Sequence, residues 1–275
     1  MKKRYRFTFR SSREEIVDFL KWQQVEIDVG ELISACEIYS DGENVEEIMN
    51  FLETHNIRFE PSTSQCIYTK QELNEAEWLK VRGTWYSGYP QPERDYEYIN
   101  ITYDSSNYCD ECYKGLIQKD SFRMRKKPNF GAKNFMVLNW VHDELFVSGK
   151  VETIFRENDV KGIDFYKVLS KSQKEMENTK QLYIENYIAP GFMPESIEKE
   201  LICPKCDFIK YLKKFGFIYY NKETFNNVNV DIVKSQDKFG EITCSSHIIV
   251  NQRLRKIILD NNIGRGLIFE PLQLV

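Results

Sequence analysis

Two CxxC pairs, Cys109-Asp110-Glu111-Cys112 and Cys203-Pro204-Lys205-Cys206, constrain this chain more than any other feature. A CxxC knuckle turns the backbone so that two thiolates face one side, and two knuckles together supply the four sulfurs of a tetrahedral zinc shell. The spacing therefore predicts one structural Zn2+ held by Cys109, Cys112, Cys203 and Cys206. The 90 residues between the pairs exceed the loop of a simple zinc ribbon, so a folded insertion has to bring the second pair back to the first. Seven cysteines are an odd number, and paired thiols in a reducing compartment favour metal over a disulfide framework. Other assignments stay open. Cys244-x-x-His247 lies downstream, so Cys203, Cys206, Cys244 and His247 form a rival set of three thiolates and one imidazole. A redox dithiol is a further alternative, although a thioredoxin-like pair opens a helix after a buried strand, and the Tyr108-Cys109 and Pro204 contexts suit knuckles better.

Each pair precedes a similar helix–strand pattern, which predicts a duplication with repeats at about 109–169 and 203–275. In the first, a strand at 145–147 meets Ser148 as a cap, a helix with inward Val151, Ile154 and Phe155, a turn at Asn158-Asp159, Gly162, and a strand at 163–168 carrying Phe165. In the second, a strand at 248–250 meets Asn251, a helix with Leu254, Ile257 and Ile258, a turn at Asn261-Asn262, Gly266, and a strand at 267–272 carrying Phe269. Equivalent stripes need equivalent partners, so the two units are expected to pack in a common sheet or in paired sheets about an approximate two-fold axis.

The overall class expected is α+β, with three parts. Residues 1–82 read as an α+β region. A strand at 4–10 alternates Tyr5, Phe7 and Phe9, and a helix follows that Ser12 and Glu15 cap and that buries Ile16, Phe19 and Leu20. A strand at 33–39 leads to a helix opened by Asn44 with Val45, Ile48, Met49 and Leu52 inward; a strand at 57–60 ends at Pro61, and Thr69-x-x-Glu72 is a second capping box. Residues 83–95 mix Gly83, Gly88, Pro90 and Pro92 with Trp85, Tyr86 and Tyr89, and read as an aromatic linker that packs between lobes. Residues 96–275 hold the double-CxxC domain, entered by a strand at 96–103.

Function classes are narrowed mostly by what the composition lacks. A formal charge of −4 and a pI of about 5.7 argue against broad capture of nucleic acid. The clusters Lys2, Lys3, Arg4, Arg6, Arg10 and Arg123, Arg125, Lys126, Lys127 read as solvated surface. No apolar run approaches the ~20 residues of a membrane span, and no leader pattern follows the basic start, so a cytoplasmic location is expected. With His55, His142 and His247 the only imidazoles, no nucleophile–base motif stands out. His142-Asp143-Glu144 is the most reactive-looking run, and its simpler reading is a polar lead-in to a strand. Glycine spacing gives neither dinucleotide nor P-loop fingerprints. Cys36 and Cys66 read as core thiols. No catalytic or organic-cofactor residue is assigned.

The order CxxC, helix–strand, CxxC, helix–strand resembles the double-CXXCG motif proteins, a group that includes immunity proteins of bacterial polymorphic-toxin systems. The residues that carry it are the two pairs, Leu145-Phe146-Val147-Ser148 through Phe165, and Val250 through Phe269-Glu270-Pro271-Leu272, so it covers roughly residue 96 to the C-terminus. Tyr113 and Asp207 stand where that family usually has glycine. The resemblance implies a non-enzymatic protein that binds and neutralises a cognate toxin domain, with Trp85, Tyr86, Tyr89 and the acidic residues 41–47 as candidate contacts. A zinc-ribbon nucleic-acid-binding or regulatory protein, or a zinc-dependent hydrolase with an open metal position, are the alternatives.

Overall fold

A computed structural model describes residues 1–60 and 63–275. The expected strand end at Pro61 lies outside the described residues. The chain divides into two compact units, Met1–Glu72 and Leu73–Val275, so the second unit begins before the expected boundary at 82/83.

The first unit runs β1 (Lys2–Arg10), α1 (Glu14–Trp22), β2 (Ile27–Val29), β3 (Ile33–Tyr39), α2 (Val45–Thr54) and β4 (Gln65–Ile67). Its antiparallel sheet has the order β2-β3-β1-β4, the split βαβ arrangement of the ferredoxin-like fold. Alternation along β1 buries Phe7 and Phe9, while the i, i+4 pairs Ile16/Leu20 and Ile48/Leu52 turn each helix onto the same core. The helix starts differ from expectation. Arg13 rather than Ser12 precedes α1, whose first turn carries Glu14 and Glu15 at the positive end of the dipole. Asn44 sits at φ 55° and caps nothing with its side chain.

A short helix α3 (Lys70–Glu75) follows, opened by the expected capping box: Thr69 N–H donates to Glu72 at 2.7 Å and Glu72 N–H returns to Thr69 Oγ1 at 3.1 Å. The second unit then comprises β5 (Trp78–Gly83), α4 (Tyr98–Thr102), β6 (Tyr103–Asp104), β7 (Ile117–Gln118), β8 (Arg123–Met124), β9 (Phe135–Leu138), β10 (Val141–Ser148), α5 (Gly149–Glu157) and β11 (Ile163–Ser170). It continues through β12 (Glu175–Ile184), β13 (Tyr187–Ile188), β14 (Ile197–Ile202), β15 (Ile209–Lys213), β16 (Ile218–Tyr220), β17 (Ile232–Phe239), β18 (Ser245–Asn251), α6 (Gln252–Asp260) and β19 (Leu267–Leu274). The strand expected at 96–103 is instead α4, which buries Tyr98, Ile99 and Thr102. The segment expected as a linker lies along β9, with Val137 N–H donating to Trp85 O and Ser87 N–H to Val137 O.

Two sheets organise this unit. One has the order β8-β11-β12-β10-β9; the other contains β16-β19-β5-β18-β17 and extends through β15 to β14. The five-strand cores match in direction: the first pair is parallel and the other three antiparallel. They match in register as well. Leu182 of β12 lies between Leu145 and Phe165, as Val81 of β5 lies between Ile248 and Phe269. Val147 faces Phe135 where Val250 faces Ile232, and Ser170 faces Met124 where Leu274 faces Tyr220. Both helices bury their stripes, Val151/Ile154/Phe155 and Leu254/Ile258, in one core shared by the facing strands of both sheets. The opposite sheet faces close over separate cores, one around Phe122, Met136 and Phe146, the other around Ile218, Val233 and Ile249.

Candidate metal centre

Each cysteine pair sits in the connection of an antiparallel hairpin, the first between β6 and β7 and the second between β14 and β15. Their backbones repeat. Cys109 N–H donates to Lys114 O at 2.8 Å and Tyr113 N–H to Cys109 O at 2.7 Å; Cys203 N–H donates to Phe208 O and Asp207 N–H to Cys203 O, both at 3.0 Å. The residue after each pair must take a left-handed conformation to close this turn, and Tyr113 at φ 64° and Asp207 at φ 54° do so. Those are the positions at which the double-CXXCG pattern has glycine, the residue that reaches this region without a Cβ clash.

The folded insertion brings the knuckles face to face. Cys109 and Cys203 sulfurs are 3.7 Å apart, as are those of Cys112 and Cys206, and all four lie within 4.8 Å of one another. Zn–S bonds of ~2.3 Å define a tetrahedron with edges of about 3.8 Å, so four thiolates in this arrangement fit a single zinc-sized ion. The distances are far beyond a disulfide of ~2.05 Å. Cys109, Cys112 and Cys203 are buried with Phe208 packed against them, while Cys206 reaches the surface. Lys205 N–H, followed by Cys206 N–H, donates toward the Cys203 sulfur and holds that thiol down to about 7. Burial and the other three sulfurs push the Cys112 thiol up, against a donation from Lys114 N–H. Four thiolates this close, three of them buried, repel one another, and a bound cation is the ordinary compensation for such a cluster.

Side chains outside the four sulfurs tie the knuckles together. Lys205 Nζ meets Asp110 Oδ1 at 2.5 Å, and Lys114 Nζ stands 4.3 Å from the centre of the Phe208 ring. Neither contact was readable from the pairs alone, although Lys114 and Phe208 occupy corresponding places two residues beyond each knuckle.

The rival ligand set is not assembled. His247 is buried, accepts or shares a hydrogen bond with Tyr220 Oη at 3.0 Å, and stacks on Phe239 at 3.5 Å. Burial, with Lys80 and Lys213 nearby, pushes its pKa well below the ordinary value. Cys244 contributes its backbone: its N–H donates to Cys112 O at 2.9 Å. Among the described residues, the cluster of metal-ligating side chains is that of Cys109, Cys112, Cys203 and Cys206.

The remaining reactive-looking groups serve the fold. His142 is exposed, Asp143 accepts Ser246 N–H at 2.9 Å, and Glu144 is buried against Lys234 Nζ at 2.5 Å while accepting from Gln181 at 3.1 Å. The run thus ties β10 to β12, β17 and β18. Cys36 is buried in β3, and burial pushes its thiol up to about 12. Trp85 packs edge-on against Phe130, and Tyr89, Tyr96 and Tyr98 surround Trp140. No helix among the described residues is long and apolar enough to cross a membrane. Fold and site define an α+β protein with facing cysteine knuckles. No protein-family model and no curated protein matches the chain.

Proposed function

We propose that this chain is a non-catalytic protein of the immunity type, stabilised by one structural zinc, that binds and neutralises a cognate toxin inside the producing cell. The observation that supports the zinc is the close cluster of four sulfurs built by two knuckles with the same hydrogen-bond pattern. A shell of four thiolates has no open position for water or substrate, so the ion stabilises the fold and activates nothing. The toxin-binding part rests on the double-CXXCG resemblance, to which the left-handed residues after each pair add support.

We also infer that Leu73–Val275 is a duplication whose halves have exchanged their middle strands. Each half contributes, in order, a strand, a knuckle hairpin, a short strand, a hairpin, a helix and a strand. In each, the leading strand lies in the other half's sheet: β5 between β18 and β19, and β12 between β10 and β11. The zinc staples the knuckle of one half to that of the other. Identifying the neighbouring gene and, where it encodes a toxin domain, co-expressing that domain with this protein tests the function. Restored growth and a stable complex are expected; no rescue and no complex, with zinc-dependent hydrolysis by the purified protein, would overturn it.

A further inference from the structure

The sheet of the first unit stops short beside β3. β1 accompanies β3 along its whole length, Ile33 to Tyr39. β2 reaches only the residues paired with it, Ser34, Ala35 and Cys36. Tyr39 O is taken by Gly42 N–H at 2.9 Å, and among the described residues no strand lies on the outer side of Glu37 and Ile38. A groove of about 810 Å³ opens there, with Gln23, Glu26, Asp28, Glu37, Ile38 and Glu43 among its walls. An open edge is a template for another extended chain.

Three further observations specify the occupant. Gln23 Nε2 is buried in the groove wall with no acceptor among the described residues, while its Oε1 accepts from Asn44 Nδ2 at 2.9 Å. A buried amide donor calls for an oxygen such as a peptide carbonyl. The walls also hold four carboxylates against one guanidinium, that of Arg6. Glu37 is matched by Arg4 at 3.4 Å and Arg6 at 3.3 Å; Glu26, Asp28 and Glu43 have no ion pair among the described residues. At the groove rim Val29 is 61% exposed, an apolar foothold on an edge strand where charge is the usual protection.

We propose that this groove binds an extended, basic segment of a protein partner, which continues the line of β2 along β3 as an added strand. Backbone pairing and the Gln23 amide hold its main chain, and its lysine or arginine side chains meet Glu26, Asp28 and Glu43. Pairing of two copies of this chain through the same edge would set those carboxylates against each other, which disfavours self-association. The inference concerns Met1–Glu72 and does not depend on the zinc or on the toxin reading, although Glu43 falls within the acidic residues 41–47 named above as candidate contacts.

The test uses the full chain and a fluorescein-labelled peptide of alternating lysine and valine, titrated by anisotropy at low ionic strength. Saturable one-to-one binding is expected, with slowed amide exchange within Glu37–Tyr39. Glu26→Lys combined with Glu43→Lys should weaken it about tenfold or more, and Gln23→Leu should weaken it less; all three positions lie at the groove surface, and circular dichroism verifies the fold. Absence of saturable binding, equal binding of an alternating glutamate–valine peptide, or protection confined to other strands would each overturn the proposal. So would a dimer in sedimentation that protects Glu37–Tyr39 without peptide.

Discussion

At Tyr113 the knuckle geometry imposes a backbone conformation that a bulky residue adopts only at a cost. Left-handed φ costs an L-residue about 1–2 kcal/mol, and Tyr113 is held at φ 64° by the turn that presents Cys109 and Cys112. Its ring is half-buried against the core around Tyr98 and Phe122, so packing offsets the strain. Tyr113→Ala and Tyr113→Gly remove the same ring and differ in backbone freedom. The glycine variant is expected to be about 1 kcal/mol more stable than the alanine variant in urea unfolding; equal stabilities would show that the turn imposes no such constraint. The four sulfurs were legible in the sequence because a knuckle is a local structure whose spacing encodes its geometry. Cys244-x-x-His247 misled because the same spacing also fits a strand entry: β18 begins at Ser245 and carries His247 into the core against Phe239.

Between elements, paired charges fasten strands that lie far apart in sequence. Lys80 of β5 meets Glu270 of β19 at 2.7 Å, with both side chains largely buried. Burial opposes the Glu270 carboxylate, but Lys80 and Lys213 prevail and hold its pKa down to about 2, against an ordinary value of 4.5. A depressed acid stabilises the fold above its unfolded pKa and loses that contribution as pH falls toward the folded one, so the ionised Glu270 among Lys80, Lys213 and Arg82 contributes fully above pH 4.5 and fades toward pH 2. Glu270→Gln should therefore cost most near neutrality and little at about pH 2.5, as read from denaturant midpoints at the two pH values; a pH-independent cost would refute the linkage. The Glu144–Lys234 pair crosses between β10 and β17 and is more deeply buried. Lys234→Met leaves Glu144 unpaired and is expected to destabilise by about 3–5 kcal/mol, whereas Glu144→Leu with Lys234→Met should recover most of that loss. A double variant as unstable as the single one would contradict this. Helix–strand order was legible here because the apolar stripes of α5 and α6 are long enough to fix their period. α4 was not, since Tyr96, Tyr98 and the alternating Ile99 to Tyr103 stretch fit a strand's period as well as one helical turn.

At the scale of the whole second unit, the sequence carried the two similar helix–strand patterns but concealed how their strands pair. Similar stripes specify that each helix needs a sheet, and nothing in a stripe says which half donates the strand beneath it; that information lies in long-range pairing, such as Val81 between Ile248 and Phe269. The same ambiguity shifted the unit boundary, because β5 looks like the end of the N-terminal region until its partners are known. β5 lies between β18 and β19, and β12 between β10 and β11, so a single cut separates strands from their sheets. A break after Gln173, in the exposed turn between β11 and β12, leaves residues 1–173 with β10 and β11 but without the strand that joins them, and residues 174–275 with β18 and β19 in the same condition. Neither fragment can complete its own sheet, and each exports the strand the other lacks. Expressed alone, both are expected to leave residues from the second unit without cooperative unfolding or tightly held zinc. Expressed together, they should assemble one to one with one zinc per pair, since the four-sulfur cluster combines Cys109 and Cys112 of one fragment with Cys203 and Cys206 of the other. Calorimetry and metal analysis of the separate and mixed fragments decide the matter: cooperative, zinc-loaded folding of residues 174–275 alone would show that its sheet does not depend on β5.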